Sequence, residues 1–135
     1  MTYDNVDEKD RDILNLLIDN SRISNTEIAK VLNVSEGTVR KRIKKMIDEG
    51  IIKRFTVETS DNTIDALILV KIDNKKYKEV LQRLRARYYE IYEFSGRIDV
   101  AIRIKTDSTD NLNRIVDQIR EIEGVVDTDT LIRLQ

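Results

Sequence analysis

Seven basic side chains fall between positions 40 and 54: Arg40, Lys41, Arg42, Lys44, Lys45, Lys53 and Arg54. Only Asp48 and Glu49 oppose them, a net of +5. Guanidinium and ammonium groups at this density bind phosphates or pair with carboxylates. Residues 1–19 hold six acids and two bases, a net of −4, although the whole chain carries only −1. A basic patch on a nearly neutral protein suits binding to nucleic acid through one face, and the competing reading is an ordinary solvated helix face.

What is absent narrows the chemistry further. The 135 residues include no cysteine and no histidine. Disulfides, thiolate nucleophiles, imidazole bases and the usual zinc sites are therefore excluded. No glycine-rich phosphate loop is present, so the expectation is a protein that is not an enzyme and needs no metal or cofactor. Charged residues make up 36% and hydrophobic ones 40%, a globular composition. No apolar run approaches the roughly 20 residues that span a bilayer, and the first residues lack a signal-peptide pattern. The expected location is cytoplasmic, with no membrane partner. Proline is absent and there are four glycines, so no rigid or flexible linker is expected.

The elements that must position the basic residues are legible from periodicity and caps. Ile13, Leu14, Leu16, Leu17 and Ile18 cluster at helical spacing after Asp7, Glu8 and Asp10, acids suited to a first helical turn. Ser24 precedes Glu27 by three residues, a capping box, and opens a helix with Ile28, Ala29, Val31 and Leu32. Asn33-Val34 makes a short turn. Ser35 caps a third helix that runs to Glu49, with Gly50 as its stop and Val39, Ile43, Met46 and Ile47 as one apolar stripe. Two helices joined by a tight turn, the second basic, form a helix-turn-helix. Residues 51–57 read as a strand resembling a wing or exit ribbon, and 58–65 as a polar linker.

In that motif the second helix enters the major groove of double-stranded DNA. The stripe leaves Glu36, Gly37, Thr38, Arg40, Lys41, Lys44 and Lys45 on the opposite side. Arg40 and Lys41 have the reach and donors for guanine O6 and N7, and Glu36 could accept from cytosine N4. Gly37 lets the backbone approach closely, unless it is simply a helix-start residue; Thr38 is otherwise a rim residue. Arg42, Lys44, Lys45 and Lys53 suit phosphates, and Arg42 fits an intramolecular ion pair equally well. Ser24, Asn25 and Ser35, at the helix starts, complete the candidate DNA-contact set.

The second half alternates elements. Residues 66–72 form an apolar strand, 75–87 a helix, 89–94 a strand, 95–98 a turn and 99–105 a strand with Val100, Ile102 and Ile104 facing one way. Ser108 or Thr109 caps a helix bearing Leu112, Ile115, Val116, Ile119 and Ile122, stopped by Gly124. Residues 125–134 are the last strand. The order is βαββαβ, a ferredoxin-like split motif, which makes the chain α+β. Helices cover one face of such a sheet, so the other must bury itself against a second copy, and a homodimer at least is expected.

These residues resemble a family. Residues 6–14, Asn20-Ser21-Arg22, Ile28-Ala29, Val34-Ser35, residues 39–43 and Gly50-Ile51-Ile52-Lys53 are similar to the DNA-binding domain of Lrp/AsnC (feast/famine) regulators. Residues 94–99, Gly124-Val125-Val126 and the terminal strand resemble that family's effector domain, in its short archaeal type. The resemblance implies a helix-turn-helix domain over 1–54, a hinge over 55–65, and an effector-binding and oligomerisation domain over 66–135. It implies dimers that assemble further, up to octamers of four dimers, and a small-molecule effector, usually an amino acid, bound between dimers. The implied effector residues are Ser95, Gly96, Arg97, Ile98 and Asp99 at the turn, with Thr128, Asp129 and Thr130 on the last strand. An acid for an ammonium and donors for a carboxylate make physical sense of that set. Read alone, Gly96 is a hairpin glycine and Asp99 a strand-start residue. Arg97 and Ile98 depart from the family's usual acidic or polar residue and aromatic; Arg97 either favours an effector with an acidic side chain or pairs with Glu93 or Asp99. The implied function is a sequence-specific transcriptional regulator modulated by an amino acid or related metabolite. An architectural, weakly specific DNA binder without a ligand is the alternative.

Overall fold

The computed structural model describes residues 5–61 and 63–134. The chain divides into two compact units, the first ending at Thr59 and the second beginning at Ser60.

The first unit is built from α1 (Glu8–Asp19), α2 (Asn25–Leu32) and α3 (Glu36–Asp48). Each starts where a side chain satisfies orphan backbone N–H groups. Asp7 caps α1 and Asp10 reaches back to complete a capping box, while Ser24 and Glu27 do the same for α2. Ser35 caps α3. Asn33 takes a left-handed φ of 54° at the tight turn, and Gly50 does so at 74° after α3. Ile13, Leu17, Ile28, Ala29, Val39 and Met46 form the buried centre. Ile18 and Ile47, expected on the apolar stripes, are 81% and 45% exposed. Each follows a buried residue by one position, which rotates it about 100° off the core face. Val31 is also exposed.

The strand expected over 51–57 does not form. Ile51 and Ile52 both donate their N–H to the Met46 carbonyl and pack on the three-helix core. Beyond them the backbone is irregular, and Phe55 and Val57 are exposed. A strand needs a neighbour to take its backbone hydrogen bonds, and among the described residues none pairs with this segment.

The second unit contains β1 (Ile64–Ile72), α4 (Tyr77–Arg87, entered through a 3-10 turn at Asn74–Lys76), β2 (Ile91–Glu93), β3 (Val100–Thr106), α5 (Thr109–Arg120) and β4 (Val125–Ile132). The sheet order is β2-β3-β1-β4, antiparallel throughout, the ferredoxin-like arrangement. β1 starts two residues ahead of expectation because Ile64 and Asp65 pair with Thr106 and Lys105. Alternation splits each strand between two faces. Ala66, Ile68, Val70 and Ile72 meet Val100, Ile102 and Ile104 on the face covered by Val80 and Leu84 of α4 and by Leu112, Val116 and Ile119 of α5. Each of the buried Val, Leu and Ile side chains contributes about 1.5–3 kcal/mol. The other face carries Leu67, Leu69, Arg103 and Leu131; Leu67 pairs across the sheet with both Arg103 and Leu131. On this face Leu131 is 49% exposed and Leu67 38%.

Candidate nucleic-acid interface and ligand pocket

Val39 and Met46, with Ile43 packed beside them, fix the inward side of α3, so the opposite side faces solvent. Arg40, Lys41, Lys44 and Lys45 are exposed there. Arg40 Nη1 lies 2.9 Å from Glu36 Oε2, Lys44 Nζ 2.9 Å from Asp48 Oδ2, and Lys45 Nζ 4.0 Å from Glu49 Oε1, all four residues apart. Exposed pairs of this kind are worth about 0.3–0.5 kcal/mol, little enough for the cations to exchange partners for phosphates. Lys41 and Lys53 have no ion-pair partner among the described residues. The hydroxyls at the helix starts are engaged locally. Ser35 Oγ accepts from the Thr38 N–H at 3.1 Å and shares a hydrogen bond with Thr38 Oγ1, and Ser24 Oγ accepts from the Glu27 N–H. Asn25 is partly exposed at the first position of α2. Gly37 sits inside the first turn of α3 with ordinary room for a methyl group, the nearest atom being Arg40 Nη2 at 3.6 Å.

Arg42 departs from the phosphate role. Its Nη1 donates to Asp7 Oδ2 at 2.6 Å and to Asp10 Oδ1 at 3.0 Å, and its side chain is only 29% exposed. The two carboxylates raise the Arg42 pKa, and the Arg42 hydrogen bond foremost holds the Asp7 carboxyl below its usual value. Of the two roles open to Arg42, the structure shows the intramolecular ion pair, which ties α3 to α1.

In the second unit the turn residues Ser95, Gly96 and Arg97 are exposed, and Gly96 has φ 145°. A depression of about 290 Å³ is lined by Leu69, Lys71, Arg97, Ile98, Asp127, Thr128 and Asp129. Four of the eight implied effector residues line it: Arg97, Ile98, Thr128 and Asp129. Ser95, Gly96, Asp99 and Thr130 do not. Asp99 Oδ2 accepts from the Ile72 N–H at 2.7 Å, and the Asp99 backbone bonds to Val70 and Phe94, so its carboxylate holds the turn onto β1. Thr130 pairs with Ile68 and shares its helix-covered face, and Thr128 Oγ1 accepts from Arg120 Nε on α5. Arg97 pairs with neither carboxylate expected of it: Glu93 takes Tyr77 and Arg85. Leu69, Lys71 and Asp127 were missed from sequence. Their signal is strand alternation plus register, because Lys71 pairs with Asp127 and Leu69 with Asp129. The depression therefore offers ammonium and guanidinium beside two carboxylates. Among the described residues no group of acids could hold a metal ion.

Two comparisons decide the family. Residues 6–53 match the description "Winged helix-turn-helix DNA-binding", and residues 65–135, more than half the chain, match the "Lrp/AsnC ligand binding domain". The chain belongs to the Lrp/AsnC family. It is a transcriptional regulator with a DNA-binding helix-turn-helix and a ligand-binding domain. Among its Lrp/AsnC relatives, the HTH-type transcriptional regulator LysM of Saccharolobus solfataricus is 38% identical over 135 residues, covering 97% of this chain and 95% of that protein. The structure of E. coli AsnC superposes with a TM-score of 0.72 at 30% identity, covering 96% of this chain and 93% of that one. A transcriptional regulator of Neisseria meningitidis, solved as a complex with L-Met, shares the fold at TM-score 0.75 and 21% identity, with 97% and 91% covered. Among the described residues of this Lrp/AsnC protein, no helix is long and apolar enough to cross a membrane.

Proposed function

We propose that this regulator binds specific DNA sequences and that an amino acid or related small metabolite modulates that binding or its assembly. The observation that carries the DNA reading is the exposed surface of α3, where Arg40, Lys41, Lys44 and Lys45 project opposite buried Val39 and Met46. Arg40 and Lys41 read bases, with Glu36, Gly37 and Thr38 beside them; Lys44, Lys45 and Lys53 take phosphates, with Ser24, Asn25 and Ser35 at the rim. Residues 1–54 bind DNA, 55–63 act as the hinge, and the domain that opens with Ile64 of β1 binds effector and self-associates. The open sheet face around Leu67 and Leu131 supports a homodimer as the basic unit, since an exposed apolar patch of this kind is normally covered. In such a dimer two copies of α3 would address major grooves roughly 34–36 Å apart.

The effector reading rests on the depression beside Arg97. Asp127 and Asp129 suit an ammonium, and Lys71 and Arg97 suit a carboxylate. The match to the ligand-binding domain and the L-Met complex of the Neisseria neighbour support an amino acid as the class.

Selection of bound sites from random DNA, run with and without a panel of amino acids, tests both halves. The expected result is a recurring motif whose recovery changes with one amino acid. Displacement by random DNA as easily as by the selected site would make the protein an architectural binder.

A further inference from the structure

We propose that the outward surface of α4 is a second contact for duplex DNA, taking backbone phosphates that α3 does not contact. This rests on the reading of α3 as the DNA-binding helix. Residues 75–90 hold six bases and two acids, a net of +4, nearly matching the +5 of the α3 region. Val80 and Leu84 anchor the inner side of α4 in the core, so the cations stand outside. Lys75, Lys78, Arg83 and Arg87 are exposed and have neither an ion pair nor a side-chain hydrogen bond among the described residues. That contrasts with α3, where most exposed cations have a carboxylate four residues away.

The helix dipole favours Arg85 and Arg87 in the last turn of α4, but local helix energetics do not explain the other cations. Lys75, Lys76 and Lys78 crowd the start of the helix, where its dipole disfavours cations. Arg83 and Arg87 are four residues apart on one flank, a spacing at which like charges destabilise a helix. An external polyanion relieves both. Just beyond the helix Tyr89 is 63% exposed and borders a hollow of about 370 Å³ shared with Arg85 and Arg87, which places an aromatic ring among the cations. A second copy of the chain fits less well. The neighbouring helix region, 109–124, has four acids, but Arg114 and Arg120 interrupt them. Duplex DNA presents an unbroken row, about one charge per 1.7 Å of axis.

The test uses the full-length protein and two duplexes, one covering only the footprint of α3 and one extended by two helical turns on each side. Affinity is measured against salt concentration for the native chain, for the Arg83→Gln/Arg87→Gln double variant, and for Arg114→Gln as a charge control outside the patch. Each lost phosphate contact lowers the slope of log affinity against log salt by about 0.9. The expected result is a slope shallower by about 2 per bound chain, hence about 4 for a dimer, for the double variant on the extended duplex, and no change for Arg114→Gln. Sedimentation and thermal melting confirm that assembly and fold persist. Equal slopes on the extended duplex overturn the proposal, as does a change of assembly state in the double variant, which would assign the surface to contacts between copies. Failure of the native chain to bind the short duplex would instead defeat the reading of α3 and this proposal with it.

Discussion

Arg42 Nη1 lies 3.0 Å from Asp10 Oδ1, although thirty-two residues separate them, and the same nitrogen reaches Asp7. Asp7 and Asp10 are the two halves of the capping box that starts α1. One guanidinium on the recognition helix therefore locks the start of a neighbouring helix. Asp10 is the buried member, with its side chain 6% exposed. Replacing Arg42 by Met leaves that carboxylate without its cation and should cost about 1–2 kcal/mol, the range for a charged hydrogen bond discounted for partial exposure. Urea unfolding of the full chain measures it. Arg42→Lys should restore part of the loss, because a single nitrogen makes both contacts and an ammonium also carries donors for two carboxylates. The salt dependence of DNA binding should stay unchanged in Arg42→Met, while Lys44→Gln, at a proposed phosphate contact, should lower its slope by about 1 per bound chain.

The same relationship sets an acid limit. Hydrogen bonding to Arg42 lowers the Asp7 pKa on folding, and hydrogen bonding to Arg103 lowers that of Asp65 in the second unit. A depressed folded pKa contributes stability that is present above the unfolded value of about 3.9 and disappears as pH falls through the folded one. Thermal stability should therefore fall below about pH 4, and Asp7→Asn or Asp65→Asn should flatten that fall. An equally steep acid transition in both variants would remove these carboxylates from the explanation.

At the alkaline end, Tyr77 donates to Glu93 Oε1 at 2.7 Å, and this bond foremost pushes its pKa up to about 12. A raised folded value favours the neutral phenol. Its contribution is complete below the unfolded pKa of about 10 and is lost as pH rises through the folded one. Ultraviolet titration should show one tyrosine ionising near 12, missing from Tyr77→Phe.

Gly37 separates folding from recognition. A Cβ there meets nothing closer than 3.6 Å, and the residue is helical with no positive φ. Gly37→Ala should stabilise the first unit by about 0.5–1 kcal/mol through helix propensity. If the backbone approaches DNA at this point, the same change should weaken operator binding. A stabilised variant with native affinity would show that Gly37 is only a helix-start residue.

The two turn glycines of the second unit should respond differently. A Cβ on Gly124 would lie 2.5 Å from Lys76 Cβ and 2.8 Å from Val80 Cγ2, at φ 106°. Gly124→Ala should cost about 2–4 kcal/mol through strain and overpacking together. Gly96 has open space around it and φ 145°, so Gly96→Ala should cost only backbone strain, about 1–2 kcal/mol. Equal destabilisation in denaturant would mean that the clash at Gly124 relaxes away.

The open sheet face gives the last test. Leu67→Lys places a charge between Arg103 and Leu131 without touching the helix-covered core. If that face meets a second copy, sedimentation should show a smaller species with unchanged helix content. A variant that keeps the native mass would move the interface elsewhere.

The helices and their caps were legible in the sequence because the interactions that make them are local. Ser24, Ser35 and Ser108 each bond to a backbone N–H three residues on, and the core stripes repeat at helical spacing, whereas Asp7, read as a first-turn acid, is the cap of α1. The βαββαβ order followed from the same short-range alternation. Tertiary structure decided whatever depended on a partner distant in sequence. Arg42 found its carboxylates on another helix, and Asp99 gave its carboxylate to the Ile72 N–H twenty-seven residues away. Residues 51–57 have strand-forming side chains but no neighbouring strand, so they stayed irregular. Strand register set which side of the sheet each of Thr128, Asp129 and Thr130 meets, and brought Lys71 and Asp127 together. Local spacing fixes which way a side chain leaves its own element, whereas what it touches depends on packing between elements that the order of residues does not contain.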